Sequence, residues 1–272
     1  MKRLISLVAV AGLMAGNVMA ASVVVNDSFT DGGRNNGADA QDTNWWSTTT
    51  SGAIEVSKGS LGLVSGGSGR GIRATFAPQT LADGQTLKAT FTFTTPKTLG
   101  TNRDSAFRVG LYDKAGRAAL EGDLSASSKK PNVNYDGLPG YMIDFDVNLK
   151  EAAKANIDIR KHKQDTQGRL LGTTKGYKHL GGGGSAYQFA PGQTYTGVMT
   201  VQKVAAGVAI SGSLSQAGKV LSTFGITDNG SATNNFGMLA FHVNSKTFGS
   251  SKKKNTPDNG IDFTNVKIEV LP

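Results

Sequence analysis

Hydrophobic and polar residues alternate along this chain in short stretches, and glycine-rich turns separate the stretches. Alternation with a period of two, in segments rich in β-branched and aromatic residues, is typical of strands with one buried face. Strands are predicted over residues 53–56, 87–94, 106–112, 141–147, 156–162, 195–201, 207–214, 238–243 and 261–270. Many short strands with no βαβ rhythm predict an all-β protein, a two-sheet antiparallel jelly-roll sandwich.

Four longer segments carry turn residues in place of a strand pattern, over residues 27–42, 123–140, 164–184 and 245–260. Loops of this length are uncommon unless they are functional or mobile. We expect the last two to move, because one ends in four glycines and the other carries three consecutive lysines. The single predicted helix is brief and covers residues 149–155.

The first twenty residues have the three parts of a secretory signal peptide. Lys2 and Arg3 give a basic start, an apolar run follows from residue 4 to 14, and small residues lead to Ala20. The run is shorter than the ~20 apolar residues that a spanning helix needs. We therefore predict a signal peptide over residues 1–20, one jelly-roll domain over residues 21–272 without a membrane span, and a secreted or periplasmic location.

The chain has no cysteine, so an exported form cannot use disulfides and must draw its stability from its own core. This composition favours a bacterial source. Lysine and arginine number 29 against 20 acidic residues, and cleavage after Ala20 would lower the excess from +9 to +7. Because basic proteins attract polyanions, we expect an acidic polysaccharide as the partner, and not nucleic acid. The alternative is that the charge serves solubility alone.

Strand alternation separates an apolar set of side chains from a polar set in four of the predicted strands. The predicted core contains Phe91, Phe93, Phe107, Val109, Leu111, Ile143, Phe145, Ile157, Ile159, Leu239, Phe241 and Val243. The opposite set is rich in Arg, Asp, His, Asn and Tyr, which are residue types that recognise sugar hydroxyls. An ordinary solvated sheet face is the alternative interpretation.

If those four strands are neighbours in one sheet, their polar side chains form a single surface. The predicted binding residues are Arg108, Tyr112, Asp144, Asp146, Asp158, Arg160, His162, His242 and Asn244. A polysaccharide lyase would instead need a base such as Tyr or His near the sugar C5 proton, with Arg or Asn at the uronate carboxylate. The candidate catalytic residues for that alternative are Tyr112, His162, His242, Arg108, Arg160 and Asn244.

The first turn-rich segment carries aspartates among Asn and Gly residues, and carboxylate oxygens are ligands that Ca²⁺ prefers. Asp27 and Asp31, together with Asp262 near the C-terminus, are candidate ligands of a structural calcium ion. Asx turns within the loop are the alternative. Trp45 and Trp46 follow this segment, and we expect one ring to be buried and the other to be exposed as a stacking platform for a sugar.

Five segments of the chain carry a resemblance to a known fold family. They are Asp27-x-Phe29-x-Asp31-Gly32, Asp42-Thr43-x-Trp45-Trp46, Phe107 to Asp113, Gly140-Tyr141-Met142-x-Asp144-x-Asp146 and Asp262-Phe263-x-Asn265-Val266. Together they resemble the concanavalin A-like, or laminin-G-like, jelly rolls of exported bacterial proteins. The resemblance covers most of the chain after residue 20 and implies the architecture. That superfamily includes lectins, carbohydrate-binding modules, hydrolases and lyases, so it implies no single activity.

These observations favour a secreted β-sandwich that binds a polysaccharide. One alternative is a jelly-roll lyase that acts on uronic-acid polymers, and another is a structural surface or matrix protein without a defined sugar site. A lyase requires a groove in which Tyr or His lies close to Arg and Asn. A binding module requires an open polar face with an aromatic platform, and a structural protein requires neither.

Overall fold

The computed structural model describes residues 20–35, 41–48, 54–64, 69–100, 107–123, 135, 137–147, 156–164, 170–230, 232–249 and 260–272. These residues form fifteen β-strands and no helix. The predicted helix lies outside the described residues, as does the predicted signal peptide apart from Ala20.

The strands form two antiparallel sheets that face each other across one core. The eight-stranded sheet contains β1 (Ser22–Asp27), β3 (Ile54–Ser57), β4 (Ser60–Leu63), β6 (Thr86–Thr94), β11 (Thr194–Val204), β12 (Gly207–Gln216), β13 (Lys219–Asp228) and β15 (Ile261–Leu271). The seven-stranded sheet contains β2 (Trp45–Ser47), β5 (Arg70–Thr80), β7 (Phe107–Tyr112), β8 (Gly140–Phe145), β9 (Ile157–His162), β10 (Tyr177–Gly183) and β14 (Asn235–Val243). The predicted all-β, two-sheet antiparallel sandwich is confirmed.

Neighbouring strands are mostly distant in sequence, as expected for a jelly roll. The first sheet has the order β13-β12-β11-β6-β15-β4-β3, with β1 paired to β15. The second has the order β10-β9-β8-β7-β14-β5-β2. Strands β9, β8, β7 and β14 are therefore consecutive neighbours, which is the arrangement that a shared polar surface requires.

Each of the nine predicted strands coincides with an observed one, but six others were not predicted: β1, β2, β4, β5, β10 and β13. The prediction of a loop throughout residues 164–184 is wrong, because β10 occupies its second half. This edge strand pairs with β9 through its backbone, and its glycines lie against β13. A Cβ atom on Gly183 would come within 2.7 Å of the Phe224 ring, so glycine permits this close approach.

The core lies between the two sheets and is dominated by aromatic rings. All twelve predicted core residues are fully buried in it, so that prediction is confirmed. Phe91 and Phe263, from the eight-stranded sheet, contact Phe241 of β14 with ring centroids 5.2 Å and 4.5 Å away. Tilted and edge-to-face contacts of this kind add to the free energy gained from burial alone.

Gly197 of β11 lies directly against Phe91, and a Cβ atom there would come within 2.1 Å of the ring. We predict that Gly197→Ala lowers the free energy of unfolding by about 2 kcal/mol, because the core has no room for the methyl group. Urea denaturation measures the change. Gly122→Ala is the control, since nothing lies within 4 Å of the added Cβ. Equal stability of the two variants would contradict this account of the packing.

Candidate functional site

The side chains of the seven-stranded sheet that point away from the core form a surface that we call the polar face. His242, Arg108, Asp144 and Asp158 occupy directly paired positions on the four neighbouring strands β14, β7, β8 and β9. Arg160 follows two residues after Asp158 on the same side of β9. The strand register therefore brings the first four of these residues together in a single row across the sheet and places Arg160 in the next row.

A buried ion pair lies at the centre of this row. The Nε atom of Arg108 donates to Oδ2 of Asp144 at 3.1 Å, and its Nη1 atom donates to the carbonyl oxygen of Leu171 at 2.8 Å. Arg108 and Asp144 are 6% and 1% exposed. Burial raises the pKa of Asp144 above its usual range, although the charge and hydrogen bond of Arg108 act to lower it.

The row becomes more accessible towards the β9–β10 edge. Asp158 accepts hydrogen bonds from Nη2 of Arg160 at 3.2 Å and shares one with Nε2 of His179 at 2.9 Å. The side chain of His179 is half exposed, and those of Asp158 and Arg160 are about one-fifth exposed. Charged donors and an acceptor are thus presented close together at one end of the polar face.

Two neighbouring residues of this face each have a buried polar atom without a hydrogen-bond partner among the described residues. The atom of Asp144 is Oδ1, an acceptor, and that of Arg160 is Nε, a donor. The two residues are diagonal neighbours, because Asp144 is paired with Asp158 and Arg160 is paired with Met142. Buried polar groups are nearly always hydrogen-bonded in native proteins. This pair of atoms therefore marks a part of the face whose hydrogen-bonding capacity the described residues leave unused.

Loops cover the other end of the polar face with a second apolar cluster. Its members are Tyr112, Leu120, Tyr135, Leu138, Met142, Leu170, Leu171, Tyr177, Met238 and Ala240. Tyr112 is fully buried, and its hydroxyl lies 2.7 Å from that of Tyr177, which accepts a further hydrogen bond from the Leu171 N–H. Burial raises the pKa of Tyr112 well above its usual value and that of Tyr177 to about 12.

The burial of Tyr112 is relevant to whether this residue could act as the catalytic base of a lyase. A catalytic base must reach a substrate proton directly or through one water. Tyr112 has no exposed surface, and burial disfavours the phenolate form that would accept the proton. The structure places Tyr112 under the covering loops, away from the accessible end of the polar face.

The remaining predicted site residues lie on or just beyond the same strands. His162 is buried at the end of β9, where Nδ1 accepts from the Gln164 N–H at 3.0 Å and the ring packs edge-on against Tyr177. His242 is buried beside the Gly69 backbone. Asp146 is buried just after β8, and Asn244 is partly buried just after β14. His242 is thus the buried end of the row, and the other three residues border the row without entering its accessible end.

The three candidate calcium ligands have no common centre. Asp27 is buried, with Oδ1 accepting from the Phe29 N–H at 3.0 Å and Oδ2 accepting from Nε1 of Trp45 at 2.8 Å. Burial raises the pKa of Asp27. Asp31 forms an Asx turn with the Gly33 N–H, and Asp262 points outwards between buried neighbours of β15. No group of three His, Cys, Asp or Glu in the described part of the chain is placed to hold a metal ion.

Two residues of the polar face were not predicted as part of it. Arg73 of β5 is 2% exposed. It pairs with Ala240, in the row next to the one that contains Arg108. His179 lies on β10, a strand whose glycines obscure the alternation. The sequence signal that could have identified Arg73 is its position between the apolar residues Ile72 and Ala74, as expected for a strand with one buried face.

Trp45 is fully buried, whereas Trp46 is partly exposed and its ring is covered by the Arg34 guanidinium at 5.3 Å.

Comparison with solved structures defines the class of fold. Peanut lectin superposes with a TM-score of 0.52 at 9% identity, over 93% of this chain and 98% of that one. Lectin I from Ulex europaeus, in complex with a methyl glycoside of α-L-fucose, gives 0.51 at 11% identity, over 93% and 98%. The exoplasmic/lumenal domain of VIP36, bound to Ca²⁺ and Man2, gives 0.51 at 10% identity, over 90% and 86%. The fold is therefore a concanavalin A-like jelly roll of the legume-lectin type.

The sequence comparisons add no closer assignment. No protein-family model matches the chain, and no curated protein sequence matches it either. In the part of the chain that the structure describes, no helix is long and apolar enough to cross a membrane.

Arg108 allows a direct test of the buried ion pair. We predict that Arg108→Met lowers the free energy of unfolding by about 3 kcal/mol at pH 7, because Asp144 loses its buried partner. The loss should shrink as the pH falls. A carboxyl group whose folded-state pKa is raised stabilises the fold when protonated, and this contribution is lost as the pH rises from 3.8 through the raised value.

Urea denaturation at pH 5 and pH 7.5 measures both effects. The control is the double variant Arg108→Met/Asp144→Asn, which removes the uncompensated charge and should recover part of the loss at the higher pH. A deficit that is the same at both pH values, or a double variant no more stable than the single one, would contradict the prediction.

Proposed function

We propose that this chain is a carbohydrate-binding β-sandwich, and that the accessible end of the polar face holds the sugar. The observation that carries the proposal is the partly exposed set of Asp158, Arg160 and His179, held together by hydrogen bonds next to two buried unsatisfied atoms, Oδ1 of Asp144 and Nε of Arg160. A sugar hydroxyl both donates and accepts hydrogen bonds, so neighbouring hydroxyls of one ring can satisfy an acceptor and a donor together.

The surrounding residues suit that role. Asp158 holds Arg160 and His179 in place by hydrogen bonds, which reduces the side-chain entropy that a ligand would otherwise have to remove. Arg108 in turn fixes the orientation of Asp144. The solved structures of this fold that are named above include lectins with bound sugars, which supports the same class of ligand for this chain.

The finer features of the proposal are an exported location and an acidic polysaccharide as the ligand. The basic, apolar and small-residue segments of the first twenty residues support export. The excess of basic over acidic residues supports a polyanionic partner.

Binding is favoured over cleavage because of where Tyr112 lies. With that hydroxyl closed under the loops, the accessible end contains Asp158, Arg160 and His179, which suit recognition of hydroxyls. The structural-protein alternative leaves the two unsatisfied buried atoms unexplained.

We predict that Arg160→Gln weakens retention on a bound polysaccharide at least tenfold, since a good charge-assisted hydrogen bond contributes about 1.5–3 kcal/mol. The protein from residue 21 onwards is incubated with a panel of neutral and acidic polysaccharides, and both retention and new unsaturated ends are recorded. The control is Lys88→Gln, which removes a cation from β6 on the opposite sheet.

Retention without unsaturated ends, lost in Arg160→Gln and kept in Lys88→Gln, is the expected result. Unsaturated ends that disappear in His242→Ala or Tyr112→Phe would overturn binding in favour of the lyase. Absence of both retention and cleavage across the panel would favour the structural protein instead.

A further inference from the structure

A groove of about 590 Å³ opens at one end of the sandwich, where β9 and β10 meet the end of β13. Its lining includes Lys161, Lys163, Lys178 and the turn of residues 228–230. Lys161 lies two residues beyond the buried Ile159 and so points to the core side of β9, opposite to Arg160. Apart from the buried His162, which lines the groove from the Arg160 side of β9, the groove is therefore a different surface from the accessible end of the polar face.

Two lysines face each other directly across β9 and β10. Lys161 and Lys178 are paired in the strand register, and both line the groove. Side chains at directly opposed positions have Cβ atoms ~4.5–5.5 Å apart, and like charges there are destabilising. Such a pair needs a compensating negative charge nearby.

Asp228 supplies that charge for Lys161. Its Oδ2 atom lies 2.7 Å from Nζ of Lys161 and accepts from the Tyr141 hydroxyl at 2.9 Å, while Oδ1 accepts from the Gly230 N–H at 3.1 Å. Burial acts to raise the pKa of Asp228, but these donors outweigh it and lower the pKa. Both carboxylate oxygens are thus occupied, and Asp228 is the one acidic side chain among the described residues that line the groove.

The charges of Lys178 and Lys163 are not compensated in this way. Both side chains are exposed, and neither forms an ion pair with a carboxylate in the described parts of the chain. Nζ of Lys163 donates to the carbonyl oxygen of Lys175 at 3.3 Å, which leaves its charge in place. The amide of Asn229 adds a neutral hydrogen-bonding group to the same lining.

We propose that this groove binds the carboxylate or sulfate group of an acidic polysaccharide through Lys163 and Lys178. The proposal rests on the carbohydrate binding proposed above and assigns the acidic part of that ligand to a surface of its own. An anionic group seated here would supply the negative charge that Lys163 and Lys178 lack, whereas a neutral sugar would not.

The test compares neutral, uronate and sulfated oligosaccharides of equal length by isothermal titration calorimetry. The variant Lys163→Ala/Lys178→Ala removes the two uncompensated charges and leaves the Lys161–Asp228 pair intact. Lys219→Ala is the matched control, because Lys219 is exposed at the start of β13, at the opposite end of the strand from Asp228. Each protein is measured at low and at high ionic strength.

We expect the double variant to bind the acidic oligosaccharides about tenfold more weakly at low ionic strength. The difference should shrink at high ionic strength, where salt screens exposed charges, and the neutral oligosaccharide should be bound equally by all three proteins. Whether the uronate or the sulfated oligosaccharide shows the loss identifies the anionic group.

Two results would overturn the groove proposal while leaving carbohydrate binding in place. One is equal affinity of the double variant and Lys219→Ala for both acidic oligosaccharides. The other is wild-type protein that binds the neutral oligosaccharide as tightly as the acidic ones. Wild-type protein that binds none of the three would overturn both proposals.

Discussion

The ion pair between Arg108 and Asp144 is the interaction on which the polar face depends. Removing two charges from water costs several kcal/mol per ion, and only close geometry with further hydrogen bonds offsets that cost. Arg108 meets this condition by bonding both Asp144 and the Leu171 carbonyl. The pair links β7 to β8 across the sheet, and its second hydrogen bond ties a covering loop to the strands beneath it.

The covering loops divide the face into two parts with different properties. Over β7, β8 and β14 they bury Tyr112, Met142 and Met238 in a second apolar cluster, which makes that part a packed layer. Over β9 and β10 the side chains of Asp158 and His179 remain in contact with solvent. The closed part holds the buried Asp144 in position, and the accessible part exposes Asp158, Arg160 and His179 to solvent. The two unsatisfied atoms lie where these parts meet.

Much of this architecture could be predicted from alternation alone, because each strand segment with a buried aromatic face has a period of two. The core and the neighbourhood of Arg108, Asp144 and Asp158 follow from that pattern. Alternation fails where backbone pairing is enough to define a strand, as in β10, whose glycines carry no pattern. It also gives no information about loops, so it predicted Tyr112 as an accessible residue when a second cluster buries it.

The aspartates near the N-terminus show a different limit. Asp27 and Asp31 have the composition of a cation-binding loop, but their oxygens are used by Trp45 and by backbone N–H groups. Composition cannot separate these two outcomes, because the same oxygens suit either partner. The basic groove was missed for a related reason: Lys161 and Lys178 come together only through the pairing of β9 with the unpredicted β10.

Binding of a sugar over Arg160, beside the buried Asp144, is tested most directly by nuclear magnetic resonance of the arginine side chains. Protein labelled with ¹⁵N-arginine is titrated with oligosaccharides from a polysaccharide that it retains. We predict that the Nε–Hε resonance of Arg160 shifts progressively to saturation, while that of Arg117, in the turn after β7, does not. A saturating ligand that leaves the Arg160 resonance unchanged would contradict it.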